Sequence, residues 1–582
     1  MKLLFTFIVL AICSVSGRIL KMVDDWWEYG HFYQIYPRSF KDGNGDGTGD
    51  LKGIIENLSY LKTIDVTGVW LSPIFKSPMK DTGYDISDFR NIDPIFGTLD
   101  DFEHLMARSR ELDIKIILDF VPNHSSDQHE WFKKSCNPND PDFEKYKDFY
   151  VWNNGKLLPD GTRSPPSNWL SVFTGSAWTW VESRQQYYYH QFLPAQPDLN
   201  FRNPAVHEEM KEILRYWLRK GVSGFRIDAV PHLYESEENA DGVYDDEPLS
   251  GADRCEPDEY CYLNHIHTHD LNETFDLVYE WRRVLDEDEF SNQTRILMAE
   301  AYSPLELALR YYGRVENGEI VEYGAQMPFN FELMSNTWME TGSYGYIKYI
   351  ETWLLNLPKG NGIHANWVLG NHDGSRLATR YKPSRTDLFN ILLKTLPGIT
   401  VTYYGEEIGM TDVLIPSGDK REVARTPMQW DSSQNAGFSS ASLTWLPVAD
   451  NFTECNVELQ RNLDRSFLKN VIELGKLRRT KTLKYGGLQL AAVDEDVLVY
   501  KRQIAGDATA DVIAVVLNLG TIDKYFDLTY YLSALPEKMT VSVVSIHSTT
   551  INPGDSVETN NLKVPSEVGI VLVGQNNSRY FM

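Results

Sequence analysis

Gly224-Phe225-Arg226-Ile227-Asp228-Ala229 is the stretch on which the fold turns. An apolar run over residues 222–227 carries an arginine and stops at an aspartate. Burying either charge unpaired is costly, so neither suits the middle of a buried strand. Both suit the C-terminal mouth of a parallel strand, where the arginine lowers the pKa of the aspartate and keeps it ionised. An ionised carboxylate at a barrel mouth is placed to act as a nucleophile. A structural salt bridge at a strand end accounts for these six residues equally well when they are taken alone.

Outward from this stretch, strand-like and helix-like segments alternate. Strands are expected at 32–36, 66–71, 114–121, 224–228, 295–300, 326–331, 367–370 and 399–404. Helices are expected at 51–64, 99–112, 204–219, 305–312, 344–355 and 386–396, with one more after a polar, acidic insertion at 235–270. Eight β-then-α units are the count of a closed parallel barrel. Residues 122–203, rich in Pro, Asn, Ser, Trp and Tyr, break the pattern and read as a subdomain inserted after strand three. From residue 483 the texture changes to short strands at 497–501, 512–517, 540–546 and 569–573, which read as an antiparallel β-sandwich. The expected chain is α/β. It has a signal peptide (1–17), a (β/α)8 TIM barrel in two parts (18–121 and 204–482), the inserted subdomain (122–203) and a C-terminal antiparallel β domain (483–582).

The 582 residues suffice for two or three domains. A formal net charge of −26 argues against nucleic acid and anionic membrane surfaces as partners. Lys2, an apolar run at 3–13 and the small residues Ser14, Ser16 and Gly17 have the pattern of a secretory signal, too short to span a bilayer. No later stretch is long enough to span either, so a secreted, extracellular protein is expected. Removing the leader removes Cys13 and leaves Cys136, Cys255, Cys261 and Cys455. An even count in an oxidising compartment permits two disulfides. Cys255 and Cys261 flank a polar loop and pair best, and Cys136 with Cys455 is the remainder. Glycosylation sequons stand at Asn57, Asn272, Asn292, Asn451 and Asn576. A sixth, at Asn123, lies among the site residues and is expected to stay bare.

In a barrel enzyme the active site lies at the C-terminal ends of the strands. Strand three ends Asp119-Phe120-Val121-Pro122-Asn123-His124, strand four Arg226-Ile227-Asp228, strand five Met298-Ala299-Glu300 and strand seven Gly370-Asn371-His372-Asp373. Three carboxylates, Asp228, Glu300 and Asp373, thus point into one cavity with two histidines and an arginine. Their mutual repulsion costs stability, which is hard to explain as structure alone. Two carboxylates with separated pKa values are what glycoside hydrolysis needs, one ionised as nucleophile and one protonated as acid.

These segments resemble the α-amylase family (glycoside hydrolase family thirteen), and in particular its α-glucosidase branch, which includes insect maltases. The matching motifs are the strand ends above with Gln196-Pro197-Asp198-Leu199-Asn200, and Arg425-Thr426-Pro427-Met428-Gln429-Trp430 points to the glucosidase branch. The resemblance implies Asp228 as nucleophile, Glu300 as general acid/base and Asp373 as stabiliser of an oxocarbenium-like transition state, with retention. It implies that Arg226 orients Asp228 and that His124 and His372 bind the sugar being cleaved. Asp81 and Tyr84 bind and stack that ring, and Arg425 closes its subsite around a terminal glucose.

The loop Asp42-Gly43-Asn44-Gly45-Asp46-Gly47-Thr48-Gly49-Asp50 alternates oxygen ligands like a calcium site, although Gly53 stands where an EF-hand needs glutamate. It resembles the structural Ca2+ loop of the glucosidase branch, with Asp42, Asn44, Asp46, the Thr48 carbonyl and Asp50 as ligands; a Gly/Asp-rich turn is the alternative. Ala229, directly after Asp228, goes in related enzymes with α-1,4 rather than α-1,6 substrates. No spacing suggests an organic cofactor. The expected protein is an α-glucosidase acting on small oligosaccharides: maltose, maltooligosaccharides and sucrose. A non-catalytic or receptor-type member of the fold, an α-1,6-glucosidase, a transglucosidase and an endo-acting α-amylase share much of this pattern. The sequence leaves the oligomeric state open.

Overall fold

The computed structural model describes residues 24–416 and 419–576. The expected signal peptide at 1–17 lies outside them. Eight parallel strands form one sheet: β1 His31–Ile35, β2 Gly68–Leu71, β3 Lys115–Phe120, β4 Gly224–Ile227, β5 Ile296–Ala299, β6 Met327–Pro328, β7 Asn366–Trp367 and β8 Ile399–Tyr403. Their spatial order is β6-β5-β4-β3-β2-β1-β8-β7. Nearly every strand residue is buried, as expected of strands covered on both faces.

The barrel expected from the β/α alternation is therefore present, but it is nearly closed rather than fully laddered. Strands β6 and β7 are two residues each, shorter than the expected 326–331 and 367–370. Pro328 has no N–H to give a ladder. The Asn366 side chain spans this seam instead. Its Nδ2 donates to the Pro328 carbonyl (2.7 Å), and its Oδ1 accepts from the Asn330 N–H (2.9 Å).

The helices between the strands are α1 Leu51–Thr63, α2 Leu99–Glu111, α3 Pro204–Arg219, α4 Asn272–Leu285, α5 Leu305–Arg310, α6 Ser343–Asn356, α7 Thr386–Thr395 and α8 Phe467–Arg478. Their starts are written locally. Asp50 caps α1 by accepting from the Gly53 N–H, and Thr98 with Asp101 makes a capping box on α2. Helix α3 opens on Pro204 behind an Asn203 cap. It buries Val206, Met210, Ile213, Leu214, Trp217 and Leu218, the three-and-four spacing of one helical face.

Between β3 and α3 lie two short helices and a three-stranded antiparallel sheet of Trp152–Asn153, Gln186–Tyr189 and Trp178–Val181. The aromatic richness of this stretch makes its own core, in which Trp169, Trp178, Tyr189 and Tyr244 pack together. Beyond α8, a six-stranded antiparallel sheet is built from β9 Gly487–Ala492, β10 Val497–Gln503, β11 Asp511–Asn518, β12 Lys538–Val544, β13 Ser556–Glu558 and β14 Gly569–Gln575. One face of it packs on α7 and α8 through Leu498, Tyr500, Ile513 and Val515. The opposite face buries Val499, Val512 and Val516 under Leu528, Leu562 and Val564.

Cys255 and Cys261 form a disulfide, with Cα atoms 5.8 Å apart. Cys136 and Cys455, the two left over by the count, form no bond with each other, and both are free thiols. Cys136 caps a helix of the inserted segment, whereas Cys455 donates to the Ile408 carbonyl beyond β8 (3.2 Å). An even count permits a bond but does not bring its partners together. Among the sequons, Asn272, Asn292 and Asn451 are exposed and Asn57 is half-buried. Asn576 is a correction: it is buried, and its Nδ2 donates to the Ile504 and Asp507 carbonyls, which leaves no room for a glycan. No helix among the described residues is long and apolar enough to cross a membrane.

Candidate active site

A cavity of about 540 Å3 opens at the C-terminal ends of the strands, a usual size for a small-ligand site. Asp81, Tyr84, His124, Asp228, Glu300, His372 and Asp373 all line it, so seven of the nine expected catalytic and sugar-binding residues meet in one place. The other two, Arg226 and Arg425, are buried just behind the wall.

Arg226 is the organising cation. Its NH1 donates to Asp228 Oδ1 at 2.5 Å and to Asp119 Oδ1 at 2.8 Å, and its NH2 lies 2.7 Å from Glu300 Oε1. The guanidinium also sits over the rings of Trp70 and Tyr84. A planar fork can hold three carboxylates at set directions, which a point charge cannot. At the end of β4 the chain turns through Ala229 in the left-handed region (φ 46°, ψ 36°), a costly conformation for a residue with a Cβ. The turn aims the Ala229 N–H at Glu300 Oε2, 2.9 Å away.

The carboxylates titrate differently because their surroundings differ. Burial pushes Asp228 up to about 7, against the pull of Arg226 and with the help of Asp119. Burial pushes Glu300 up to about 8, again against Arg226, with Asp228 and Asp373 adding to the rise. The expectation that Arg226 keeps Asp228 low needs correcting. The arginine acts in that direction, but its one charge is shared among three buried carboxylates and burial outweighs it. Asp373 goes the other way: burial would raise it, yet His372, Arg425 and Arg421 hold it down, to about 2. Burial also lowers His124 to about 4 and His372 to about 3, so both imidazoles are neutral hydrogen-bonding groups at pH 7.

The rest of the wall is a polar net. Tyr84 Oη lies 2.6 Å from His372 Nε2, with the two rings stacked at 5.4 Å. Gln196 Nε2 donates to Asp81 Oδ2 (3.1 Å) and lies 3.0 Å from His124 Nε2. Asn123 is buried and donates to Asp198 Oδ2 (2.8 Å), in keeping with a sequon that carries no glycan. Arg425 donates from Nε to the His372 carbonyl (2.7 Å) and from NH2 to Asp373 Oδ1 (3.0 Å), so it braces the β7 turn. The arginine that reaches the cavity is Arg421, whose NH2 lies 2.7 Å from Asp81 Oδ1 and whose NH1 lies 3.6 Å from Asp373 Oδ1. Sequence reasoning missed Arg421 and gave no role to Asp119. Asp119 stood in plain view at its strand end, whereas Arg421 sits in a short 3-10 helix, Lys420–Ala424, and its only signal is standing four residues before Arg425. The aromatic part of the wall, Phe173, Phe192, Tyr260 and Tyr302, was also missed, because it comes from loops far apart in the chain.

In the Asp42–Asp50 loop the oxygens mostly bind the loop's own amides. Asp42 accepts from the N–H groups of Asn44, Gly45 and Gly47 and from Ser439 Oγ. Asn44 Oδ1 accepts from the Asp46 N–H, and Asp46 Oδ1 accepts from the Thr48 N–H. Asp50 Oδ2 is buried without a hydrogen-bond partner, an opening for a cation in a set of oxygen donors that suits a hard ion.

Residues 34–486 match the model of the alpha-amylase catalytic domain. Maltase A1 of Drosophila melanogaster is 49% identical over 588 residues, covering 97% of this chain and 98% of that protein. A salivary alpha-glucosidase of Anopheles gambiae is 48% identical over 566 residues, covering 94% of this chain and 93% of that one. The crystal structure of an alpha-glucosyl transfer enzyme superimposes with a TM-score of 0.79 at 30% identity, over 95% of this chain and 100% of that one. A nearly closed barrel, its carboxylates gathered at one mouth, and a catalytic-domain match running through most of the sequence agree: the chain belongs to the alpha-amylase family.

Proposed function

We propose that the protein is a secreted, retaining, exo-acting α-glucosidase that removes terminal α-1,4-linked glucose from maltose, maltooligosaccharides and sucrose. The observation that carries this reading is Arg226 holding Asp228 and Glu300 on one guanidinium at the floor of the cavity. That bridge keeps the two carboxylates close together, as a covalent double displacement requires. Asp228 attacks the anomeric carbon as Glu300 gives its proton to the leaving oxygen, and the glycosidic bond breaks. Glu300, now ionised, takes a proton from water, whose oxygen displaces Asp228 and restores the α configuration. Asp373, kept ionised by its cations, faces the positive charge that develops on the ring.

Exo action is supported by the ion pairs on the pocket wall, where Arg421 links Asp81 to the Asp373 side and Arg425 packs behind. A small Ala229 supports α-1,4 substrates. Secretion is supported by the leader pattern, by the Cys255–Cys261 bond and by the salivary relative. Bound Ca2+ in the Asp42–Asp50 loop, with Asp42, Asn44, Asp46, the Thr48 carbonyl and Asp50 as ligands, would serve structure alone, by tying the start of α1 to the loop before it.

The test is glucose release by the purified chain from maltose, sucrose, isomaltose and starch, with Asp228→Asn as control. Fast release from maltose and sucrose, little from starch and none from the variant is the expected result. Full activity in Asp228→Asn sinks the reading, and silence on all four points to the non-catalytic alternative. Isomaltose as the best substrate would sink only the α-1,4 preference.

A further inference from the structure

Tyr260 lines the same cavity but takes no part in the carboxylate and arginine net. It is carried by the loop that the Cys255–Cys261 disulfide closes. The loop is tied at its root by an antiparallel bridge of Leu249 to Leu263 and by Ser250 Oγ donating to the Cys261 carbonyl (2.6 Å). Behind Tyr260 the His265 ring lies parallel at 3.5 Å, and His265 Nε2 lies 2.7 Å from the Tyr260 carbonyl. His265 is itself held by Glu247, whose Oε2 is 2.8 Å from Nδ1 and which is otherwise spent on the His267 N–H and the Thr268 hydroxyl. The tyrosine ring is thus backed, sided and stapled, which is much support for a loop side chain.

The same cavity is lined by Phe173, over whose ring Arg421 sits at 5.1 Å. The two loops are linked where the Gly175 N–H donates to the Asp258 carbonyl (2.7 Å). Phe173 and Tyr260 are therefore carried by one connected piece of wall, although they come from segments far apart in the chain. The groups that would hold a terminal glucose (Asp81, His124, His372 and Asp373) belong to the polar net, while Tyr260 and Phe173 offer aromatic rings. An aromatic ring beside a polar pocket suits the apolar C–H face of a second sugar and leaves the hydroxyls of that sugar to water.

We infer that Tyr260 is the wall on which the leaving sugar stacks, making the disulfide-closed loop a determinant of which aglycone the enzyme accepts. This rests on the glucosidase reading above and adds the recognition of the second ring to it. Tyr260 touches substrate without touching the reacting atoms. Its removal weakens turnover of substrates that have a second sugar, out of proportion to any effect on one that lacks it.

The test compares maltose with α-glucosyl fluoride, whose leaving group is fluoride and has no ring to stack. In Tyr260→Ala the ratio of kcat/KM for maltose to kcat/KM for the fluoride is expected to fall about tenfold, the size of a stacking contact worth ~1.4 kcal/mol, mainly through KM for maltose. Tyr260→Phe, which keeps the ring, recovers most of the ratio. Thermal midpoints of both variants report folding separately. A ratio unchanged in Tyr260→Ala, or a Phe variant as poor as the Ala variant, overturns the proposal. If the wild-type enzyme turns over neither substrate, the glucosidase reading fails and this one falls with it.

Discussion

Arg226 NH2 lies 2.7 Å from Glu300 Oε1, so the arginine two residues before Asp228 serves the neighbouring strand's carboxylate as well as its own. One planar cation sets the positions of both. Arg226→Lys keeps the charge but cannot reach Asp119, Asp228 and Glu300 together. It is expected to lower kcat/KM on maltose by about a hundredfold or more, since small misplacements of reacting groups carry costs of that order. A variant with near wild-type turnover and an unchanged circular dichroism spectrum would remove the bridge from the mechanism.

The pH profile follows from the two raised carboxylates. Turnover needs Asp228 ionised and Glu300 protonated. The rate should therefore fall on the acid side as Asp228 takes a proton, near 7 rather than where an ordinary aspartate titrates, and on the alkaline side as Glu300 loses its proton, near 8. Glu300→Gln has no acid to lose, so the alkaline limb of kcat/KM on α-glucosyl fluoride should vanish. Its persistence would reassign the acid.

Arg421 is the cavity-facing cation that pairs with Asp81 and approaches Asp373. Arg421→Ala leaves both carboxylates without it and opens the end of the pocket. KM for maltose should rise about tenfold, on the scale of one charge-assisted hydrogen bond lost. Relative activity on longer maltooligosaccharides should rise at the same time. An unchanged KM would make the arginine a bystander.

Asn366 closes the barrel where backbone pairing stops. Asn366→Ala strands the Pro328 carbonyl and the Asn330 N–H in a buried place. A loss of about 1–3 kcal/mol per group left unpaired is expected. The readout is the denaturation midpoint in urea, and Asn366→Asp, which keeps the acceptor but not the donor, should fall between. A midpoint that does not move would show that the seam needs no such stitch.

Asp46 is exposed and accepts only a hydrogen bond from the Thr48 N–H besides one from Asn44 Nδ2. If the loop binds Ca2+, chelation should lower the thermal midpoint of the wild-type protein by several degrees, because a ligand that binds only the folded state stabilises it. Asp46→Ala should start lower and respond little to chelator. Equal midpoints with and without chelator in the wild type would leave a Gly/Asp turn with no ion.

The alternation of segments made the barrel legible, because a strand buried on both faces must be apolar along its length and a helix on its outside must repeat its apolar face every three to four residues. Strand-end positions then pointed to Asp228, Glu300 and Asp373, since a parallel barrel sends those residues to one mouth whatever its loops do. What lay beyond reach was anything settled by which distant loops touch. The partners of Cys136 and Cys455 depend on where two segments come to rest. The reach of Arg421 into the cavity depends on where the short 3-10 helix Lys420–Ala424 comes to rest, and Arg425, which has the more readable motif, is buried behind it. The standing of Tyr260 depends on a stapled loop with no periodicity of its own. Even the pKa of Asp228 belonged to the tertiary structure: its neighbour Arg226 was visible in the chain, but the two other carboxylates that share the same guanidinium come from adjacent strands, and burial is a property of the whole fold.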